Sequence, residues 1–263
     1  MDIVVLLKQV PDTETIIKVA EDGKSIDSTD IKWIINPYDE YAVEAALRVK
    51  DSQGATVTIL SMGPQRAVES IRTALAMGAD KGVLVDDPAT EGSDAYGKAV
   101  VLAAALRTIP FDLIFCGHRA VDDDENQVGI MVAELLAIPH LALAVATELT
   151  DGKIRIVRPI EGARVTMESQ LPALVTFGGA HAIWNPRYAS LPGIMKAKKK
   201  PLDIKTLADI EVSAEQVGAA AARVMLTAME LPPPRQAGRI IEGDTAQKAQ
   251  ELVRALHEEA KVI

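Results

Sequence analysis

The chain has one cysteine, Cys116, among 263 residues. That excludes an internal disulfide framework and fits a reducing compartment, either the cytoplasm or the mitochondrial matrix. Its four histidines are scattered and no cysteine–histidine cluster exists, so a zinc or iron–sulfur site has no ligand set. Aromatic residues make up only 3% of the chain, and the core must be built from Ala, Val, Leu and Ile. No apolar run reaches the roughly 18 residues of a membrane span. The first residues, Met-Asp-Ile-Val-Val-Leu-Leu-Lys, enter a strand-like run and lack a signal-peptide layout, so a soluble protein is expected. Lys and Arg number 28 against 37 Asp and Glu, a net charge of −9. A nucleic-acid partner needs a basic face and is not expected. Also missing are a Gly-x-Ser-x-Gly elbow, a Walker lysine loop and a Gly-x-Gly-x-x-Gly turn after the first strand. His118, His140, His181 and His257 share no obvious partner and read as satisfied or solvent-facing. Cys116, at a strand end, reads as core rather than nucleophile.

The first two-thirds of the chain alternates between β-branched runs and helical patterns. Ile3–Leu7 reads as a doubly covered strand, rich in Val, Leu and Ile without polar alternation. Thr15–Val19 and Ile31–Ile35 flank Glu21-Asp22-Gly23-Lys24 as a hairpin excursion. Pro37 opens a helix to about Lys50, which Gly54 ends. Strands follow at Thr56–Leu60, Gly82–Val85 and Asp112–Cys116, with helices at Gln65–Met77, Ala95–Arg107 and Asn126–Leu136. This order predicts an α/β protein with one doubly wound, mainly parallel sheet and helices on both faces. Leu141–Leu149, Lys153–Pro159, Arg164–Ser169 and Ala173–Phe177 are expected to form an antiparallel extension. A short apolar connection over Leu202–Val212, a helix over Ala214–Glu230, the break at Pro232-Pro233-Pro234 and a helix over Thr245–Ala260 complete the chain. Residues 1–231 are expected to be one domain and residues 232–263 a C-terminal helical arm. Such an arm either holds a partner or folds back on its own domain.

Three strand ends converge on one sheet edge, where open α/β sheets bind ligands. One carries Gly117-His118-Arg119-Ala120-Val121-Asp122-Asp123-Asp124-Glu125-Asn126-Gln127-Val128. Gly117 permits close backbone approach, and Asp123 or Asp124 could cap the next helix, leaving its N–H groups for a phosphate. The acidic run is compatible with an anion if the carboxylates point to caps and ribose hydroxyls. Asn36-Pro37-Tyr38-Asp39 and Met62 supply the other ends. Met62 could cover a flat base, and Asn36 could read its edge or fix the turn. Together they describe an adenine pocket that binds without reacting.

Residues 185–201 read Asn-Pro-Arg-Tyr-Ala-Ser-Leu-Pro-Gly-Ile-Met-Lys-Ala-Lys-Lys-Lys-Pro and should be mostly loop. Tyr188, Leu191, Pro192, Ile194 and Met195 sit beside Lys196, Lys198, Lys199 and Lys200. Two readings stand: an apolar docking peg with a cationic flank, or a loop folded on its own core with a solvated lysine tail.

Several segments, in order and spanning nearly the whole chain, resemble the electron transfer flavoprotein beta-subunit family. They are Lys8-Gln9-Val10-Pro11-Asp12, Asn36-Pro37-Tyr38 through Ala42-Val43-Glu44, Arg72–Asp80, Val121–Gln127, Leu171-Pro172-Ala173 and Asn185–Lys200. The resemblance implies a Rossmann-like fold of the adenine nucleotide hydrolase type. It also implies a heterodimer whose alpha subunit carries most of the FAD, while the beta subunit buries AMP. The AMP contacts it implies are Leu6, Asn36, Pro37, Tyr38, Asp39, Met62 and Gly117 to Val128. Tyr38 and Thr13 fall where the family approaches the flavin, and Arg158 where the beta subunit meets the alpha FAD domain. Residues 185–201 match the family's recognition loop, with Leu191 as the anchor for dehydrogenases of the acyl-CoA type. The downstream acceptor would be a membrane quinone oxidoreductase or another electron acceptor. A bifurcating variant of the family holds a second FAD in place of AMP and carries a loop like Asp-Gly-Asp-Thr-Ala-Gln. Asp122-Asp123-Asp124-Glu125-Asn126-Gln127 is bulkier and favours AMP. A stand-alone nucleotide-binding enzyme or sensor on the same kind of sheet is the alternative from another class.

Overall fold

A computed structural model describes residues 1–179, 182–234 and 237–263; His181 lies outside them. The elements in order are β1 (Asp2–Leu6), β2 (Gln9–Pro11), β3 (Trp33–Ile35), α1 (Pro37–Gln53), β4 (Thr56–Met62) and α2 (Ala67–Met77). Next come β5 (Lys81–Val85), α3 (Ala95–Arg107), β6 (Leu113–Gly117), α4 (Val128–Leu135), β7 (His140–Ala144) and β8 (Ala146–Thr150). The chain continues through β9 (Lys153–Ile160), β10 (Ala163–Gln170), β11 (Ala173–Phe177), α5 (Leu191–Ala197), β12 (Leu202–Lys205), α6 (Gly218–Ala221) and α7 (Thr245–Arg254).

Seven strands form one parallel sheet in the order β12-β5-β4-β1-β6-β11-β7. β1 is its middle strand, and Ile3 to Leu6 are buried because helices cover both faces. The chain winds from β1 through β4 to β5, then crosses to β6 on the other side. Right-handed crossovers therefore place α1 and α2 on one face and α3 and α4 on the other. Each face has its own apolar core, one around Ile3, Val43, Ile59, Ile71 and Phe115, the other around Val4, Leu60, Leu106, Ile114 and Val132. The winding direction reverses between β1 and β6, and their carboxyl ends splay into a crevice there.

Four expectations change. The run Leu141–Leu149 is two strands in two sheets: Leu143 takes φ +61° and the register shifts between Val175 and Phe177, so the chain leaves the main sheet at a bulge. β11 is parallel and lies inside the main sheet between β6 and β7, with all five residues buried, and of the expected extension β8, β9 and β10 form the antiparallel sheet. Residues Ala214–Glu230 are not one helix. Gly218 takes φ +74°, and the Asp94 carboxylate accepts the N–H groups of Arg223 at 2.7 Å and Val224 at 3.3 Å, an extended docking that overrides the alanine-rich helix propensity. The excursion before α1 has a single bridge, Val19 to Ile26. Its paired strands are β2 and β3, since two exposed arms alone make a marginal ribbon.

The described C-terminal residues carry α7, capped by the reciprocal Asp244 and Gln247 pair and with no buried residue. Among the described residues no helix is long and apolar enough to cross a membrane.

Candidate functional site

A cleft opens at the β1–β6 crevice. Leu6, Met62, Leu102, Cys116 and Val128 give it an apolar floor. Asn36, Asp39, Gly117, His118, Arg119 and Ala120 line one wall; Asp123, Glu125, Asn126 and Gln127 line the other. Lys8, Leu7, Lys98 and Gly129 also face it. Of the remaining residues expected there, Pro37 and Tyr38 sit just behind the wall in the first turn of α1.

The strand ends are bound to one another by side chains. Asp39 is buried in the first turn of α1, and its two carboxylate oxygens accept Lys8 N–H and Gly117 N–H, each at 2.8 Å. Burial pushes its pKa from 3.8 up to about 7, although these bonds oppose the shift. Gly117 is required by close approach: a Cβ there would lie 2.6 Å from Asp39 Oδ1 and 2.7 Å from Tyr38 Cβ. Asn36 fixes the loop rather than offering its amide to a ligand. Its Nδ2 donates to Arg119 O at 2.9 Å and its Oδ1 accepts Val121 N–H at 3.2 Å.

The expected aspartate cap on α4 is absent. The residue before the helix is Gln127, and among the described residues no side chain caps the first turn. Asp122 and Asp123 are instead held by Lys8 Nζ at 2.8 and 2.6 Å. Asp124 takes φ +53° and turns to Arg119 at 2.8 Å. A free first turn pointing into the cleft offers N–H groups and a positive dipole end to an anion.

Tyr38 is fixed from two sides: Arg119 Nη2 donates to its hydroxyl at 2.9 Å, and the His118 ring meets it edge-on at 4.4 Å between centroids. His118 Nδ1 lies 3.0 Å from Phe177 O, and burial lowers its pKa. Burial, and secondarily the Asp39 charge, drives the Cys116 thiol well above its usual range, which suits a floor residue and not a nucleophile. The site can take a flat apolar ring on its floor and an anion at α4. The place of Lys8 and Lys98 in the cleft is not legible in the sequence, because nothing local shows that a lysine meets its carboxylates only through the fold.

A family model described as electron transfer flavoprotein domain matches residues 24–210. The electron transfer flavoprotein subunit beta of Bacillus subtilis (strain 168) is 41% identical over 266 residues, covering 100% of both chains. The chain belongs to the electron transfer flavoprotein beta-subunit family. The same subunit of Bradyrhizobium diazoefficiens is 39% identical over 264 residues, covering 100% of both chains. An Anaerotignum propionicum protein named acryloyl-CoA reductase electron transfer subunit gamma is 34% identical over 260 residues, covering 96% of this chain and 97% of that one.

The residues that the family resemblance sets apart from the cleft lie in three places. Thr13 is exposed in the turn after β2. Arg158 lies half-buried on β9, its Nε without a partner among the described residues, and its charge adds to burial in lowering the pKa of His140. Of the residues expected in a recognition loop, Leu191, Pro192, Ile194, Met195 and Lys196 are on α5, a short helix and not a loop because Ser190 Oγ accepts Gly193 N–H at 3.1 Å and Pro192 suits a first turn. Leu191 is 81% exposed and Tyr188 96% exposed, while Ala197 of the same segment is buried in the core. Lys196, Lys198 and Lys199 are exposed too. Lys200 is different: its Nζ donates to Leu75 O at 2.9 Å and also to Ala79 O, capping the end of α2.

The segment 185–201 is anchored from behind. Arg187 grips the buried Glu44 of α1 with Nε to Oε2 at 2.8 Å and Nη2 to Oε1 at 3.1 Å. Arg72 Nη1 donates to Ala197 O at 2.6 Å and Lys200 O at 2.7 Å. Gly193 lets α5 rest against Ala76 O, where a Cβ would clash.

Proposed function

We propose that this chain is the beta subunit of a heterodimeric electron carrier that shares FAD with an alpha subunit and holds AMP as a structural nucleotide. The observation that carries the reading is the cleft at the β1–β6 crevice, with its apolar floor and the uncapped first turn of α4. An adenine ring matches the floor of Leu6, Met62 and Leu102, and a phosphate matches the free N–H groups. Asp123 supports AMP over a second FAD: its side chain spans toward Lys8 and Lys98 where the bifurcating variant has glycine.

The FAD would supply reversible electron uptake and release. This chain would contribute Tyr38, oriented by Arg119 and His118, and Thr13 at the cleft shared with the alpha subunit. Arg158 would meet the alpha FAD domain, and residues 232–263 would form the arm that holds the partner. α5 would dock donor dehydrogenases through Leu191, leaving the flavin domain free to move between donor and acceptor. The name of the Anaerotignum propionicum relative ties that protein to acryloyl-CoA reduction, which supports an acyl-CoA-type enzyme as the docking partner here.

The test is to co-express the chain with an electron transfer flavoprotein alpha subunit from the same organism, purify the complex, denature it and weigh the released nucleotides. One FAD and one AMP per heterodimer is expected. Two FAD would support the bifurcating form instead. A chain that purifies alone and turns over a nucleotide would overturn the carrier reading.

A further inference from the structure

The acidic loop of the cleft is held by two cations from different elements. Lys8 follows β1, and its Nζ lies 2.8 Å from Asp122 Oδ1 and 2.6 Å from Asp123 Oδ2. Lys98 lies in the first turn of α3, with Nζ 3.3 Å from Asp123 Oδ2 and 3.2 Å from Glu125 Oε2. Asp123 is therefore shared, and the chain Asp122–Lys8–Asp123–Lys98–Glu125 is continuous. Both lysines, Asp123 and Glu125 face the cleft. Burial alone would lower the Lys8 pKa, but Asp122 and Asp123 hold it above its usual range. Burial would likewise raise Asp123, yet Lys8 and Lys98 keep it low.

An anion at the first turn of α4 would otherwise meet three uncompensated carboxylates within one loop. We propose that Lys8 and Lys98 are positioning residues that clamp residues 121–126 and offset most of their negative charge, so that the loop's backbone can receive a nucleotide phosphate. The proposal rests on the nucleotide reading above and assigns to the lysines the job that caps and ribose hydroxyls would otherwise do. Lys98 is the sharper probe because, among the described residues, it alone holds the Glu125 side chain.

The experiment uses the purified alpha–beta complex, depleted of nucleotide and titrated with AMP. Lys98→Ala should weaken AMP binding roughly tenfold, the size of one uncovered, partly screened charge. Lys98→Arg should retain most of the affinity. Adding Glu125→Gln to Lys98→Ala should restore it, since the carboxylate needing the cation is gone. The gap between wild type and Lys98→Ala should narrow with added salt. If the wild-type complex neither carries nor takes up AMP, the nucleotide reading falls. If wild type binds AMP but Lys98→Ala binds equally well, or the double variant is no better than the single one, the clamp alone falls.

Discussion

Asp39 Oδ1 accepts the N–H of Gly117 at 2.8 Å, so the first helix holds the end of a strand that lies far from it in sequence. Its other oxygen holds Lys8 N–H, and the two strands flanking the crevice are thereby pinned to one buried carboxylate. This linkage fixes the mouth of the cleft before any ligand enters.

Asp39 should make stability fall with rising pH. Its pKa is pushed from 3.8 to about 7, so the folded state binds the proton more tightly than the unfolded state. The resulting contribution is fully present below about pH 4 and lost as pH climbs through 7, an amount of at most about 4 kcal/mol. Urea unfolding at a series of pH values should show this slope, and Asp39→Asn should flatten it. An unchanged slope in the variant would rule out Asp39 as its source.

Arg187→Ala should destabilise the fold by about 2–4 kcal/mol, because Glu44 is left buried without its cation. Arg187→Lys should rescue little, since one ammonium cannot reproduce the two-pronged contact. Adding Glu44→Gln to Arg187→Ala should recover part of the loss. Equal stability of the wild type and Arg187→Ala in denaturant titrations would show that the pair anchors nothing.

Leu191→Ala should leave stability within about 0.5 kcal/mol, because the side chain is 81% exposed. Partner-driven flavin reduction should weaken by the equivalent of about 1.5–3 kcal/mol if the leucine enters an apolar pocket. Stopped-flow kinetics across partner concentrations would check this, and unchanged kinetics would sink the anchor role.

The lysines after α5 should divide into two kinds. Charge reversal at Lys198 and Lys199 should slow partner association mainly at low salt and leave folding intact. Lys200→Ala should instead cost about 1–2 kcal/mol of stability through the lost cap on α2. Similar behaviour of all three positions would contradict the division.

Much of the sheet was legible because β1, β4, β5 and β6 are short apolar runs separated by helices with clear stops, as at Gly54. The antiparallel extension was misjudged in part. β11 has an unalternating, fully buried run, the mark of a central parallel strand, but its neighbours in sequence pointed to hairpins. Residues 214–230 were misjudged because Asp94, a cap of α3, draws their N–H groups away from a helix. The expected cleft residues are mostly brought together, because strand ends converge wherever a doubly wound sheet reverses. The roles of Asn36, Asp39 and the acidic loop were not readable, since each depends on an atom from another element.

By itself the sequence determined the alternation of strands and helices, the place of the crevice and the family, all encoded in local pattern and residue order. Only the tertiary structure decided how the charges of the cleft are spent. Lys8, Lys98, Asp39 and Arg119 find their partners across the sheet edge, and a salt bridge or a buried carboxylate depends on distances that spacing along a chain does not set.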